Sequence, residues 1–104
     1  MASTKEYLDY VLEQLSEPGA VSYRKMMGEY VIYHDGKVVG GIYDDRLLVK
    51  PTDAGEKIMS QSPFGLHKDL PYKGAKEMIV ADIDDGELTR SLIRATAQAL
   101  AGAK

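Results

Sequence analysis

The chain has 104 residues, 44% hydrophobic and 28% charged, with a formal net charge of −3 and no cysteine. That length supports one small domain with one core and no covalent staples, so a single domain over 1–104 is expected. The composition excludes disulfides, thiolate catalysis and zinc–thiolate sites, and it leaves no broad positive field to draw the protein onto nucleic acid.

The first residues, Met1 to Glu6, lack the apolar core of a signal peptide, and no apolar run approaches a membrane-spanning length. A cytoplasmic protein without a membrane segment is expected. A first helix is predicted over residues 3–16. Ser3 and Glu6 have capping-box spacing, and Leu8, Val11, Leu12 and Leu15 make one apolar stripe flanked by Tyr7 and Tyr10. Glu17-Pro18-Gly19 ends it. Val21 to Met27 reads as a first strand, turned into the next by Gly28 and Glu29. In this strand Arg24-Lys25 stands beside Met26-Met27. Either the methionines pack while the cations face water, or the segment is a binding edge, since methionine adapts to varied surfaces.

Tyr30 to Lys50 reads as the organising stretch. Asp35-Gly36 and Asp44-Asp45 break it into three β-rich runs, and Asp-Gly suits a two-residue type I′ hairpin. Two-residue turns fix register. Ile32 is then expected opposite Val39, Val31 opposite Gly40 and Tyr30 opposite Gly41. Across the second turn, Ile42 faces Leu47, Gly41 faces Leu48 and Gly40 faces Val49. Alternation places Val31, Tyr33, Val38, Ile42, Leu47 and Val49 on a core face. The opposite face, mixed in character, carries Tyr30, Ile32, His34, Lys37, Val39, Tyr43, Arg46, Leu48 and Lys50. Gly40-Gly41 lies mid-strand and marks a bend, bulge or close approach, with Tyr30 and Leu48 expected to cover Gly41. The alternative is room for a partner or ligand.

Pro51 stops the fourth strand, and Thr52 or Asp53 caps a short helix from Asp53 to about Met59, with Ile58 and Met59 inward. Residues 60–74 read as a long loop tied down by Phe64, Leu66, Leu70 and Tyr72. Met78 to Ala81 is a fifth strand. Asp84 and Glu87 have capping-box spacing before a last helix from about Glu87 to Leu100, striped by Leu88, Leu92, Ala95 and Ala99. The architecture is α+β: a two-layer antiparallel sheet in the order helix, four-stranded meander, short helix, strand, helix.

No catalytic constellation assembles. His34 and His67 have no partner at metal-ligand spacing, no serine sits in a nucleophile elbow, and no phosphate-binding glycine loop exists. No enzymatic activity, metal or cofactor is expected. The candidate interaction residues are Arg24, Lys25, Met26, Met27, Tyr30, Ile32, Val39, Tyr43, Arg46, Leu48 and Lys50. Interleaved tyrosines and cations on the mixed face keep a nucleic-acid module open as an alternative, and a small-molecule-binding domain or enzyme is the second alternative. The apolar centre of that face (Tyr30, Ile32, Val39, Tyr43, Leu48) calls for a cover. A homodimer is the expected one. Loop 60–74 is the other.

Arg24-Lys25-Met26-Met27-Gly28-Glu29-Tyr30, the Asp35-Gly36-Lys37 turn, Asp44-Asp45-Arg46-Leu47-Leu48-Val49-Lys50 and Pro71-Tyr72-Lys73-Gly74-Ala75-Lys76 together resemble the TfoX N-terminal domain family, from the first strand to the last helix. The resemblance implies a two-layer, secretion-chaperone-like α+β domain with no known enzymatic activity. Members in competence regulation carry a C-terminal helical domain and act with the cyclic-AMP receptor protein. Since this chain stops at Lys104, a stand-alone domain is expected. Its function is expected to be regulatory protein interaction related to competence and transcription, with a transcription factor or other protein as partner.

Overall fold

The computed structural model describes residues 3–15 and 21–102. Among these residues lie three helices, α1 (Lys5–Gln14), α2 (Asp53–Ser60) and α3 (Gly86–Gly102). The six strands are β1 (Val21–Met26), β2 (Glu29–His34), β3 (Lys37–Ile42), β4 (Leu47–Val49), β5 (Lys68–Asp69) and β6 (Met78–Val80). They form one antiparallel sheet in the order β1-β2-β3-β4-β6-β5. This is the expected α+β architecture with one addition. Strand β5 falls inside the stretch that the sequence reads as loop, because two residues are too few to show a period of two. The expected helix end at Glu17-Pro18-Gly19 lies outside the described residues.

Three two-residue turns build the meander. Met27-Gly28, Asp35-Gly36 and Asp44-Asp45 all have positive φ at both positions, as a type I′ turn requires (54° and 84°, 51° and 80°, 53° and 55°). Asp44-Asp45 is closed by paired bonds, Tyr43 N–H to the Arg46 carbonyl at 2.9 Å and Arg46 N–H to the Tyr43 carbonyl at 3.0 Å. The first turn corrects the expectation by one residue: Met27 belongs to the turn and Glu29 opens β2.

A bulge then changes the faces. Tyr33 pairs with Val38, but Ile32 pairs with Gly40, which leaves Val39 as the extra residue of β3. From there on, β2 and β3 are shifted by one residue against the expected register. One cross-strand row runs Lys25, Tyr30, Ile42, Leu47, and the next runs Tyr23, Ile32, Gly40, Val49, Ile79. These rows face the helices. Leu8 and Val11 of α1, Met59 of α2, and Leu92, Ile93 and Ala97 of α3 join them in one buried cluster with Val39. Burying each large aliphatic side chain contributes about 1.5–3 kcal/mol, so the bulge decides which residues supply the core. Tyr30, Ile32 and Val39, expected on the mixed face, lie in that core. Val31, Tyr33 and Val38, expected in the core, are half-buried on the opposite side.

The helix starts are tied by polar groups. Thr4, not Ser3, caps α1, its hydroxyl accepting from Tyr7 N–H at 3.1 Å. Ser3 donates to Glu29 instead, and the Asp45 carboxylate accepts from Thr4 N–H at 2.8 Å. The start of α1 is thereby latched to the β3–β4 turn. Thr52 caps α2. Asp85, not Asp84, accepts from Leu88 N–H at the start of α3, while Asp84 accepts from the Tyr10 hydroxyl at 2.8 Å. Helix α3 turns Thr89, Leu92, Ile93, Thr96 and Ala97 inward rather than a stripe from Leu88 to Ala99. Threonine can occupy this face because Thr89 donates to the Asp82 carbonyl and Thr96 to the Leu92 carbonyl.

Candidate functional site

Among the described residues no helix lies across the second face of the sheet, although Leu100 of α3 lines one of its hollows. The central row of this face runs Arg24, Val31, Gly41, Leu48, Val80. Gly41 has no side chain, and the Tyr43 ring occupies that space: a Cβ on Gly41 would lie 2.7 Å from the ring and 2.7 Å from the Tyr30 carbonyl oxygen. Tyr43, rather than Tyr30 and Leu48, therefore covers this glycine. Leu48 is buried on this side, apart from the helix-side cluster.

Loop residues Pro71 and Tyr72 reach onto the same face. Pro71 is buried, and the Tyr72 ring leans on Tyr43 with centroids 6.3 Å apart. Part of the expected loop cover is thus present, though Phe64 packs against the helix-side core instead. The rings of Tyr43 and Tyr72, with Pro71, form a ridge. On one side of it lies a groove of about 510 Å³, walled by Met26 and Met27 and floored by Val31. On the other, a hollow of about 360 Å³ continues past Val38 and Ala75 towards Lys50 and Pro51. Burial first, then the neighbouring Tyr72 and Glu29, push the Tyr43 hydroxyl above the usual tyrosine range.

Met27 stands out physically. It is 97% exposed, and its φ of 54° is a left-handed conformation that costs a residue with a Cβ about 1–2 kcal/mol. Asn or Gly suits that turn position better. The thioether gains no packing in return. Met26, 49% exposed, and Tyr72, 64% exposed, flank the same groove. Glu29 is the acid among its described lining residues, and its carboxylate already accepts from Ser3 and from Asp44 N–H.

The eleven interaction candidates divide accordingly. Arg24, Met26, Met27 and Tyr43 gather on or beside the groove. Lys25 is exposed on β1 but alternates to the helix side, next to Tyr30. Tyr30, Ile32, Val39 and Leu48 are buried and offer nothing to a partner. Arg46 is committed internally, to the Asp69 carboxylate and the Leu70 carbonyl, and holds β5 in place. Lys50 is exposed at the end of β4, beside the smaller hollow. The residues absent from that set are Val31, Pro71 and Tyr72. The signal for Tyr72 is its Pro-Tyr-Lys-Gly setting, a proline-anchored aromatic in a polar loop.

A further depression of about 340 Å³ lies between the β2–β3 turn and α3, lined by His34, Asp35, Lys37, Arg94 and Gln98 among others. Both His34 ring nitrogens are buried without a hydrogen-bond partner, and Asp35 Oδ2 lies 3.8 Å from Nδ1. Its mixed charges select neither an anion nor a cation. Among the described residues no three His, Asp or Glu side chains converge as metal ligands would, and no helix is long and apolar enough to cross a membrane.

The comparisons with known proteins bear on the whole chain. A family model described as "TfoX N-terminal domain" matches residues 13–100. The "Uncharacterized 12.7 kDa protein in trpE 5'region" of Spirochaeta aurantia is 40% identical over 106 aligned positions, covering 100% of this chain and 89% of that protein. No solved structure matches. Matched over most of its length by this model, and throughout by a relative of such identity, the chain belongs to the TfoX N-terminal domain family.

Proposed function

We propose that this chain is a non-enzymatic regulatory domain that works by binding another protein through the second face of its sheet. The observation that carries this reading is the groove itself. An apolar hollow of about 510 Å³ is rimmed by Met26, Met27 and Tyr72, all exposed and none used by the core. Contiguous exposed apolar surface of this kind marks interaction sites, and flexible methionines beside a rigid tyrosine make an adaptable but anchored surface. The family's competence-related members point to a transcription regulator as the partner. The acidic net charge of −3 speaks against a surface built for nucleic acid.

The test is site-specific crosslinking. A photoreactive amino acid replaces Met27 in the full chain, and the products formed in cells are identified. A transcription-regulating protein, captured at Met27 and lost when Tyr72→Ser is added, is the expected result. Salt-sensitive micromolar binding of short single- or double-stranded oligonucleotides would instead make this a nucleic-acid module. Crosslinks to a second copy alone would make the groove a homodimer interface.

A further inference from the structure

We infer that the groove takes an acidic peptide segment bearing one large apolar anchor, seated between Met27 and Tyr72 with its carboxylates against Arg24 and Lys73; this rests on the protein-binding reading above. The anchor half follows from Met27. Neither turn chemistry nor core packing accounts for a methionine at a left-handed, 97% exposed position. Such a side chain stays solvated at a cost unless something covers it. Across the groove, the exposed Tyr72 ring leans on Tyr43 with centroids 6.3 Å apart, and the preceding Pro71 is buried. Val31 closes the floor. A flexible wall, a rigid wall and an apolar floor fit one bulky aliphatic or aromatic side chain.

The charge half follows from the rim. Strand β1 carries Arg24 and Lys25 and no acid, in a chain whose net charge is −3. Arg24 shares its cross-strand row with Val31, so it borders the groove floor. Lys73 follows Tyr72 and is exposed. No hydrogen bond or ion pair among the described residues engages the side chain of Arg24 or Lys73. Glu29, in contrast, keeps its charge, but its carboxylate is already engaged by the donors from Ser3 and Asp44. Two uncommitted cations therefore stand close to an apolar groove, Arg24 beside its floor residue Val31 and Lys73 next in the chain to its wall residue Tyr72. Carboxylates complement these cations, and such complementarity sets specificity and association rate. A nucleic acid would need a wider basic field than two rim cations supply.

The experiment measures fluorescence anisotropy of the full chain with three labelled twelve-residue peptides. One has Glu and Asp around a central Leu-Phe pair, one has Lys and Arg around the same pair, and one is acidic with Ser-Ser at the centre. The expected result is at least ten-fold tighter binding of the acidic Leu-Phe peptide than of either control. Met27→Asn, which suits the turn's positive φ, and Tyr72→Ser each weaken it at least five-fold, with unchanged circular dichroism. Arg24→Glu inverts the charge preference. Lack of the ten-fold preference, including no binding at all, overturns the inference. Equal binding of the acidic and basic Leu-Phe peptides, still lost with Met27→Asn, overturns the acidic partner and leaves the groove as a protein site. Binding indifferent to Met27→Asn and Tyr72→Ser, or displacement of the peptide by a single-stranded oligonucleotide, overturns both readings.

Discussion

Gly40→Ala tests the account of the sheet most severely. A Cβ at Gly40 would lie 2.9 Å from Val49 Cα and 3.2 Å from the Leu48 carbonyl carbon, with the Leu48 carbonyl oxygen nearer still. All three are backbone atoms of β4, so no rotamer change relieves the clash. Ordinary contact begins near 3.4 Å, so β3 and β4 would have to part by roughly 1 Å from a normal spacing of about 4.8 Å. Overpacking alone costs about 1–3 kcal/mol, and losing one or two ladder hydrogen bonds adds about 1 kcal/mol each. Strand β4 also connects β3 to β6. A loss of about 2–5 kcal/mol is expected, against a total of roughly 5–15 kcal/mol for a domain of this size. Guanidinium unfolding followed by circular dichroism measures it, and the melting temperature should fall by roughly 8–40 °C. Gly36→Ala is the control. It has no neighbour within 4 Å but a φ of +80°, so backbone strain alone costs about 1–2 kcal/mol. A Gly40→Ala loss below about 1 kcal/mol, or one smaller than that of Gly36→Ala, would refute the close approach and the bulge register with it.

Three further outcomes are expected. Met27→Asn should stabilise the chain by about 0.5–1 kcal/mol, read as a higher denaturation midpoint, because it relieves a left-handed methionine that packs on nothing. Thr52→Ala should cost about 1 kcal/mol by removing the hydroxyl that accepts from Gly55 N–H, whereas Thr52→Ser should restore the midpoint. Tyr7 and Tyr43 are held above 10.0 chiefly by burial, and Tyr10 by the bond it donates to Asp84. Unfolding returns them to the ordinary value, so their stabilising effect is complete below about pH 10 and is lost as pH rises through the folded values. Midpoints measured from about pH 9 to pH 11 should therefore fall, and Tyr43→Phe should flatten that fall.

Local chemistry was legible along the chain. Asp35-Gly36 and Asp44-Asp45 declare their turns because few residues accept two successive positive φ values. The stripe of Leu8, Val11 and Leu15 and the cap at Thr52 likewise depend only on neighbours a few residues away. What lay beyond the sequence were long-range decisions. The single extra residue at Val39 moved Tyr30 and Ile32 into the core and Val31 to the open face, because side chains alternate and a one-residue slip inverts a strand. The candidate groove joins Met27 and Tyr72, 45 positions apart in number, only because loop 70–75 folds over the face that the bulge left apolar. Capping shifted from Ser3 to Thr4 because Glu29, far along the chain, competes for the serine. Periodicity reports which residues share a face, and packing against α1, α2 and α3 decides which face is dry.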